Sequence, residues 1–305
     1  MFQVLFDNFS IPWYLFIIDY AQKCQYGFLC LALRILISAI QVMHMELTHG
    51  QIRDYLAHLH ISDAPAVTEE FLGALTRAHL EVVPFENLQV HYERKEPVLT
   101  AASLFEKVVG GKRGGYCFEL NRLFYLLLKG LGFVCYPVPA RVVHRREEQR
   151  PYSHRATMVE VAGRKWLCDV GFGGAGPKGA IRMDTQEVQS VYGDDFFVAP
   201  DPMYPGEMAL YRFEDGAPDK VLVIRDLPWL DADFATLNSY YATYPNSPFL
   251  NKRLLYRCTP DGWISLIQNT VTRMTNGVRQ TVELQTEDQV QALLEQEFDL
   301  FVKPL

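Results

Sequence analysis

The spacing of hydrophobic positions shifts from a helical period to a strand period near residue 131 of this chain. Before it, Ile52, Tyr55, Leu56 and Leu59 recur on one helical face behind Thr48 and Gln51, which form a capping-box pattern. Thr68, with Glu69 and Glu70 behind it, starts a second helix running towards His79, and Thr100 caps a third that Gly110-Gly111 ends. A fourth apolar run, Phe118, Leu120, Leu123, Phe124, Leu127 and Leu128, opens at Cys117 and stops at Gly130. These four predict a helical bundle. From Phe133 onward, residues 133–143, 155–161, 166–170, 196–199, 208–213 and 221–224 read as short strands. Turn residues between them, such as Ala162-Gly163-Arg164-Lys165, predict an antiparallel barrel or a curled sheet. The last part mixes both patterns. Asp261-Gly262 and Asn276-Gly277 read as hairpin turns, and Thr286 with Gln289 forms another capping box, opening a helix through Leu294 and Phe298.

Composition narrows the class. A chain of 305 residues with 21% charged and 49% hydrophobic residues is globular and long enough for two or three domains. Its net charge of -7 argues against a nucleic-acid surface. The six cysteines, at 24, 30, 117, 135, 168 and 258, show no Cys-x-x-Cys and no zinc spacing with histidine; the spread reads as reduced cytosolic thiols and argues against a metal. Residues 1–44 stand apart. Residues 26–43 are eighteen positions with one charge, Arg34, which would cost roughly 2.5–3.5 kcal/mol near the middle of a membrane span. The segment reads as an apolar extension from a start placed too early, with Met45 or Met43 the true one; an interfacial helix and a real anchor are the alternatives.

Candidate chemistry concentrates in two stretches. Residues 113–122 read Arg-Gly-Gly-Tyr-Cys-Phe-Glu-Leu-Asn-Arg, which places Cys117 at a helix start. Unpaired backbone N–H groups and the positive end of the helix dipole favour an anion there, and the thiolate is the nucleophilic form of a cysteine. Taken alone, Cys117 could equally be a small core residue. His154 stands before the strand at 155–161 and Asp169 near the end of the returning strand, so a hairpin brings them within about two residues of register. A carboxylate holding one imidazole nitrogen leaves the other facing Cys117, the relay of nucleophile, base and orienter.

The segments Val83-Pro-Phe-Glu-Asn-Leu88, Arg113-Gly-Gly-Tyr-Cys-Phe-Glu-Leu-Asn121, the strand from His154, and Asp169-Val-Gly-Phe-Gly-Gly174 occur in one order and spacing that resembles the arylamine N-acetyltransferase family. The resemblance runs from about Met45 to the C-terminus. It implies an α+β multidomain fold with a cysteine-protease-like Cys-His-Asp core: a helical bundle over 45–131 carrying the nucleophile, an antiparallel β-barrel over 132–237 carrying His and Asp, and an α/β lid over 238–305. It implies a triad of Cys117, His154 and Asp169, acetyl-CoA as donor with no metal, and a small aromatic amine or hydrazine as acceptor. Phe85, Val142 and Phe172 match acceptor-pocket positions, suited to stacking a flat amine; Gly171, Gly173 and Gly174 match a backbone that pantetheine approaches, and Ser247 a coenzyme contact. A cytoplasmic enzyme of xenobiotic metabolism, with neither nucleic-acid nor membrane partner, is the expectation; a membrane enters only if residues 1–44 are genuine.

Three further points are set by the residues. Arg113 is expected to pin its loop through Glu86 or Glu119, and Asn121 to hold backbone near the cysteine. His144 is a rival base without a carboxylate placed by a hairpin. The loop between Arg141 and His154 is more charged than small-residue loops in some family members, and its Arg145, Arg146 and Arg150 read as solvated, with coenzyme phosphates the alternative. The same triad would also serve an amide synthase or a transglutaminase- or papain-like hydrolase, and a non-catalytic binding module is the rival outside catalysis.

Overall fold

The computed structural model describes residues 46–62 and 65–302; the start-site reading of residues 1–44 therefore lies outside the described residues. Helix α1, His49–His58, opens on the expected capping box, with Thr48 and Gln51 each closing on the other's backbone. Helix α2, Glu69–Val82, is capped by Thr68, whose hydroxyl accepts the Phe71 N–H. Strand β1, Phe85–Glu86, and the short α3, Leu88–His91, follow. Helix α4, Ala101–Phe105, capped by Thr100, continues into a wider turn over Glu106–Gly110, where the Gly111 N–H reaches the Glu106 carbonyl. Helix α5, Cys117–Gly130, buries Phe118, Leu120, Leu123, Phe124, Leu127 and Leu128, the predicted apolar run. Each such side chain taken from water stabilises by roughly 1.5–3 kcal/mol, so this one helix anchors the bundle.

An eight-stranded antiparallel sheet comes next: β2 (Val134–Val142), β3 (His154–Val161), β4 (Arg164–Cys168), β5 (Ile181–Arg182), β6 (Gln189–Val191), β7 (Asp194–Pro200), β8 (Met208–Glu214) and β9 (Ala217–Ile224), in the order β5-β4-β3-β2-β9-β8-β7-β6. The Gln189 side chain bridges the edges, accepting the Arg182 N–H and donating to the Arg182 carbonyl, so the sheet curls to near closure. Its interior holds Val138, Ala140, Ala156, Met158, Leu167, Phe196, Val198, Leu210 and Leu222, all fully buried. Sequence patterning missed β5 and β6, which have only two and three residues.

Helix α6, Asp231–Thr243, crosses the expected boundary at 237/238. After the short α7, Pro248–Asn251, come β10 (Leu254–Thr259), β11 (Gly262–Ile267), β12 (Thr270–Thr275), β13 (Val278–Glu283) and α8 (Glu287–Phe298), which opens on the predicted box of Thr286 and Gln289. These strands form a second sheet in the order β1-β10-β11-β12-β13, so the last part of the chain pairs with the first through β1. The turn at Asn276-Gly277 is as expected, with both residues at positive φ between Thr275 and Val278. The other hairpin is displaced by one residue: Thr259 pairs with Gly262, so Pro260-Asp261 make the turn. Among the described residues no helix is long and apolar enough to cross a membrane.

Candidate active site

Cys117 is the first residue of α5, entered through an extended Tyr116. Glu119 secures this helix start. Its carboxylate accepts the Tyr116 N–H at 3.1 Å and pairs with Lys107 at 2.7 Å. The loop before it is pinned by Arg113, which donates to Glu86 at 2.9 and 3.1 Å; of the two carboxylates expected for that task, Glu86 performs it. Burial would raise the Glu86 carboxyl, but Lys107, Arg113 and the Leu88 N–H outweigh it and hold it below its ordinary range.

His154 and Asp169 meet as the hairpin requires. Thr157 pairs with Cys168 across β3 and β4, and continuing that register puts Asp169 opposite Ala156, two residues from His154. The His154 Nε2 lies 2.6 Å from Asp169 Oδ2, with the two side chains only 3% and 0% exposed. Nδ1 is not engaged by the carboxylate, and Cys117 at the start of α5 lies beside the ring, close enough to favour its charged form. Burial opposes a charged imidazole here, yet the Asp169 carboxylate and its hydrogen bond to the ring prevail and raise His154 to about 10. These surroundings favour the imidazolium form of the ring.

Asp169 is itself held. Its Oδ1 accepts from Asn121 Nδ2 at 2.8 Å and from the Gly171 N–H at 3.1 Å. Asn121, fully buried one turn beyond Cys117, also accepts the Val170 N–H at 2.9 Å and donates to the Arg155 carbonyl. The backbone-holding role expected of it is present, and the grip on Asp169 is additional. Gly171 lies so close that a Cβ there would sit 2.7 Å from the Cys117 Cα.

The other sequence-derived positions distribute around this core. Phe172 stands edge-on to His154, with centroids 5.7 Å apart, and Phe85 packs beneath Gly173. Val142 ends β2, half-buried against the barrel interior that Phe172 also touches. Gly173 and Gly174 adopt φ of 69° and 80° in the turn after Asp169. Ser247 is buried at the start of α7, its hydroxyl donating to the Tyr241 carbonyl and accepting the Phe249 N–H at 3.2 Å.

Two features correct or extend the sequence reading. His144 does have a carboxylate: its Nδ1 lies 2.5 Å from Asp219 Oδ2 on β9, at 26% and 23% exposure. Asp219 follows 75 residues later, and no local pattern announces the pairing. Likewise Arg145 pairs with Glu214 at 3.0 Å and Arg150 with Glu148 at 3.2 Å, so both loop arginines have surface partners. Sequence reasoning passed over Arg155, Asp231 and Tyr241. Arg155, the neighbour of His154, is fully buried and reaches Asp231 at 2.8 Å, tying β3 to α6. Tyr241 stacks on Phe118 at 6.1 Å and its carbonyl accepts from the Ser247 hydroxyl. Arg155 beside His154 was an available signal, but its partner Asp231 lies too far along the chain to name.

The N-acetyltransferase family model matches residues 69–304, a span that includes Cys117, His154 and Asp169. The chain belongs to the arylamine N-acetyltransferase family. An arylamine N-acetyltransferase of Escherichia coli is 33% identical over 237 residues, covering 74% of this chain and 80% of the relative. An arylamine N-acetyltransferase / N-hydroxyarylamine O-acetyltransferase of Salmonella typhimurium is 31% identical over 252 residues, covering 81% and 88%. The solved Salmonella typhimurium arylamine N-acetyltransferase superposes with a TM-score of 0.77 at 29% identity, over 84% of this chain and 92% of that one. The order of helices, barrel and final mixed part is thus an arylamine N-acetyltransferase fold.

Proposed function

We propose that Cys117, His154 and Asp169 carry an acetyl group from acetyl-CoA to an arylamine or hydrazine through an acetyl-cysteine. The observation that carries this reading is the buried 2.6 Å pair of His154 and Asp169 set against a thiol at a helix start. His154 holds the proton that leaves Cys117, and the thiolate attacks the carbonyl carbon of the thioester. The oxyanion is met by backbone N–H groups at the start of α5, that of Cys117 among them. The bond to the coenzyme sulfur breaks, the imidazolium returns its proton to that sulfur, and coenzyme A departs. The amine then attacks the acetyl carbon, His154 takes its proton, and Cys117 leaves as thiolate. Asp169 keeps Nε2 occupied throughout, so that Nδ1 does the work.

Phe85, Phe172 and Val142 line the acceptor side, where the Phe172 ring beside the imidazole and the Phe85 ring against Gly173 suit a flat aromatic amine. Gly171, Gly173 and Gly174 give the pantetheine arm a side-chain-free backbone beside Asp169. The bundle, barrel and lid of 45–131, 132–237 and 238–305 are read as the three parts, with the triad where the first two meet. The free thiols Cys117, Cys135, Cys168 and Cys258 fit a cytoplasmic enzyme of xenobiotic metabolism. Coenzyme A release from acetyl-CoA across a panel of anilines and hydrazines tests the reading. Amine-dependent release supports it; hydrolysis without amine, or no release with any amine, overturns it.

A further inference from the structure

Three elements bring the triad together: α5 supplies Cys117, β3 supplies His154, and the segment after β4 supplies Asp169. One side chain bonds to groups on two of them from the third. Asn121 sits on α5 four residues after Cys117, on the same helix face, and is fully buried. Its Nδ2 donates both to Asp169 Oδ1, at 2.8 Å, and to the Arg155 carbonyl next to His154; its Oδ1 accepts the Val170 N–H at 2.9 Å. The amide thus spends both of its N–H donors and its oxygen on the groups that fix the histidine and the aspartate.

The grip on Asp169 bears on chemistry as well as on packing. With Oδ1 held by Asn121 and by the Gly171 N–H, the carboxylate cannot rotate without breaking two hydrogen bonds, and Oδ2 stays aimed at His154 Nε2. The carboxylate also remains solvated, in effect, by two fixed donors in a site from which water is excluded. We infer that Asn121 is a positioning residue of the triad, setting the orientation of Asp169 and through it the charged state of the His154–Cys117 pair. The inference rests on the triad reading above, and it adds a residue whose amide touches no reacting atom. Gly171 belongs to the same device: a Cβ there would lie 2.9 Å from Asn121 Nδ2 as well as against the Cys117 backbone, so any side chain pushes the loop off its anchor.

The test uses the full chain with Asn121→Ala and the near-isosteric Asn121→Asp. Iodoacetamide alkylation of Cys117 is followed against pH, and kcat and KM are measured for acetyl transfer to an aniline. Removing a hydrogen bond to a charged group predicts kcat about 10- to 100-fold lower in Asn121→Ala, with KM for the amine within about twofold of wild type. Alkylation should begin at higher pH, because a misdirected Asp169 no longer supports the imidazolium that holds the thiolate. Asn121→Asp presents an acceptor to two other acceptors, Asp169 Oδ1 and the Arg155 carbonyl, and should be at least as impaired; it carries the test alone if the alanine variant does not fold. Variants that melt lower but keep the wild-type kcat and alkylation profile make Asn121 a purely structural residue and overturn the inference. Failure of the triad reading looks different: the wild-type chain itself would then take no acetyl group at Cys117.

Discussion

Two histidines in this chain each lie against one carboxylate at nearly the same distance, His154 with Asp169 at 2.6 Å and His144 with Asp219 at 2.5 Å. Their surroundings differ completely. The first pair is 3% and 0% exposed, backed by Asn121 and Gly171, and lies beside the Cys117 thiol. The second is 26% and 23% exposed, beside the surface arginine Arg145 and its partner Glu214. In water-screened surroundings a histidine–carboxylate pair stabilises little, while the same pair in a dry site fixes a tautomer and a charge. What sets the first pair apart is therefore its burial, its anchored carboxylate and the thiol beside it. The distance alone distinguishes nothing.

The sharpest way to break the comparison is to remove each carboxylate. Asp169→Asn should lower acetyl transfer on the order of 10³–10⁴-fold, through a misplaced imidazole, as in other triads. Asp219→Asn should leave kcat within about twofold. Cys117→Ala should abolish transfer and leave the fold intact. Equal effects of the two asparagine variants would remove the functional distinction between the pairs.

A similar contrast holds for arginine pairs. Arg113 meets a fully buried Glu86, whereas Arg145 is 66% exposed where it meets Glu214. Arg113→Met strands a buried charge and should cost about 3–5 kcal/mol in a denaturant titration. Arg145→Met should cost at most about 1 kcal/mol. The Glu86 carboxyl is held below its ordinary range, so its contribution is present above the unfolded value and is lost as pH falls; the gap between wild type and Arg113→Met should narrow in acid.

His79 extends the series to a buried histidine with no carboxylate. It lies between the Tyr55 and Phe124 rings with neither ring nitrogen hydrogen-bonded among the described residues, and burial, with His58 nearby, lowers it to about 3. Below its ordinary value the unfolded chain takes a proton that the folded chain refuses. Stability should then fall with acid by about 1.4 kcal/mol per pH unit until the folded form also protonates. In His79→Leu the loss between pH 7 and pH 5 should shrink by about 2 kcal/mol; an unchanged acid slope would show that His79 does not set it. The smallest expected effect is that of His144→Gln, within about 0.5 kcal/mol in stability and without change in kcat.

The legible part of the molecule was the part written locally. Thr48, Thr68, Thr100 and Thr286 each announced a helix start, and each side chain accepts a backbone N–H there. The hairpin joining His154 and Asp169 was readable to within about two residues of register; its turn is the pair Ala162-Gly163 rather than the four residues 162–165 expected, because Arg164 and Lys165 already pair with Val161 and Glu160. Partners from distant segments were not readable. Asp219 for His144 and Asp231 for Arg155 are brought together only by barrel closure and by the packing of α6. The hairpin at 260–261 was misplaced by one residue for a related reason: Gly262 is needed beneath Met274 of the neighbouring strand, where a Cβ would meet its carbonyl at 1.8 Å, and the glycine does not serve the turn.

The central claim, that the dry pair and its thiol form an acylating centre, is tested most directly by incubating the full chain with acetyl-CoA alone and mapping the product by peptide mass spectrometry. One acetyl group on the peptide carrying Cys117, discharged by adding an aniline and absent from Cys117→Ala, is the predicted result. Wild-type protein that turns over acetyl-CoA and amine together, yet never carries acetyl on Cys117 and gives intersecting rather than parallel initial-rate lines, would contradict it.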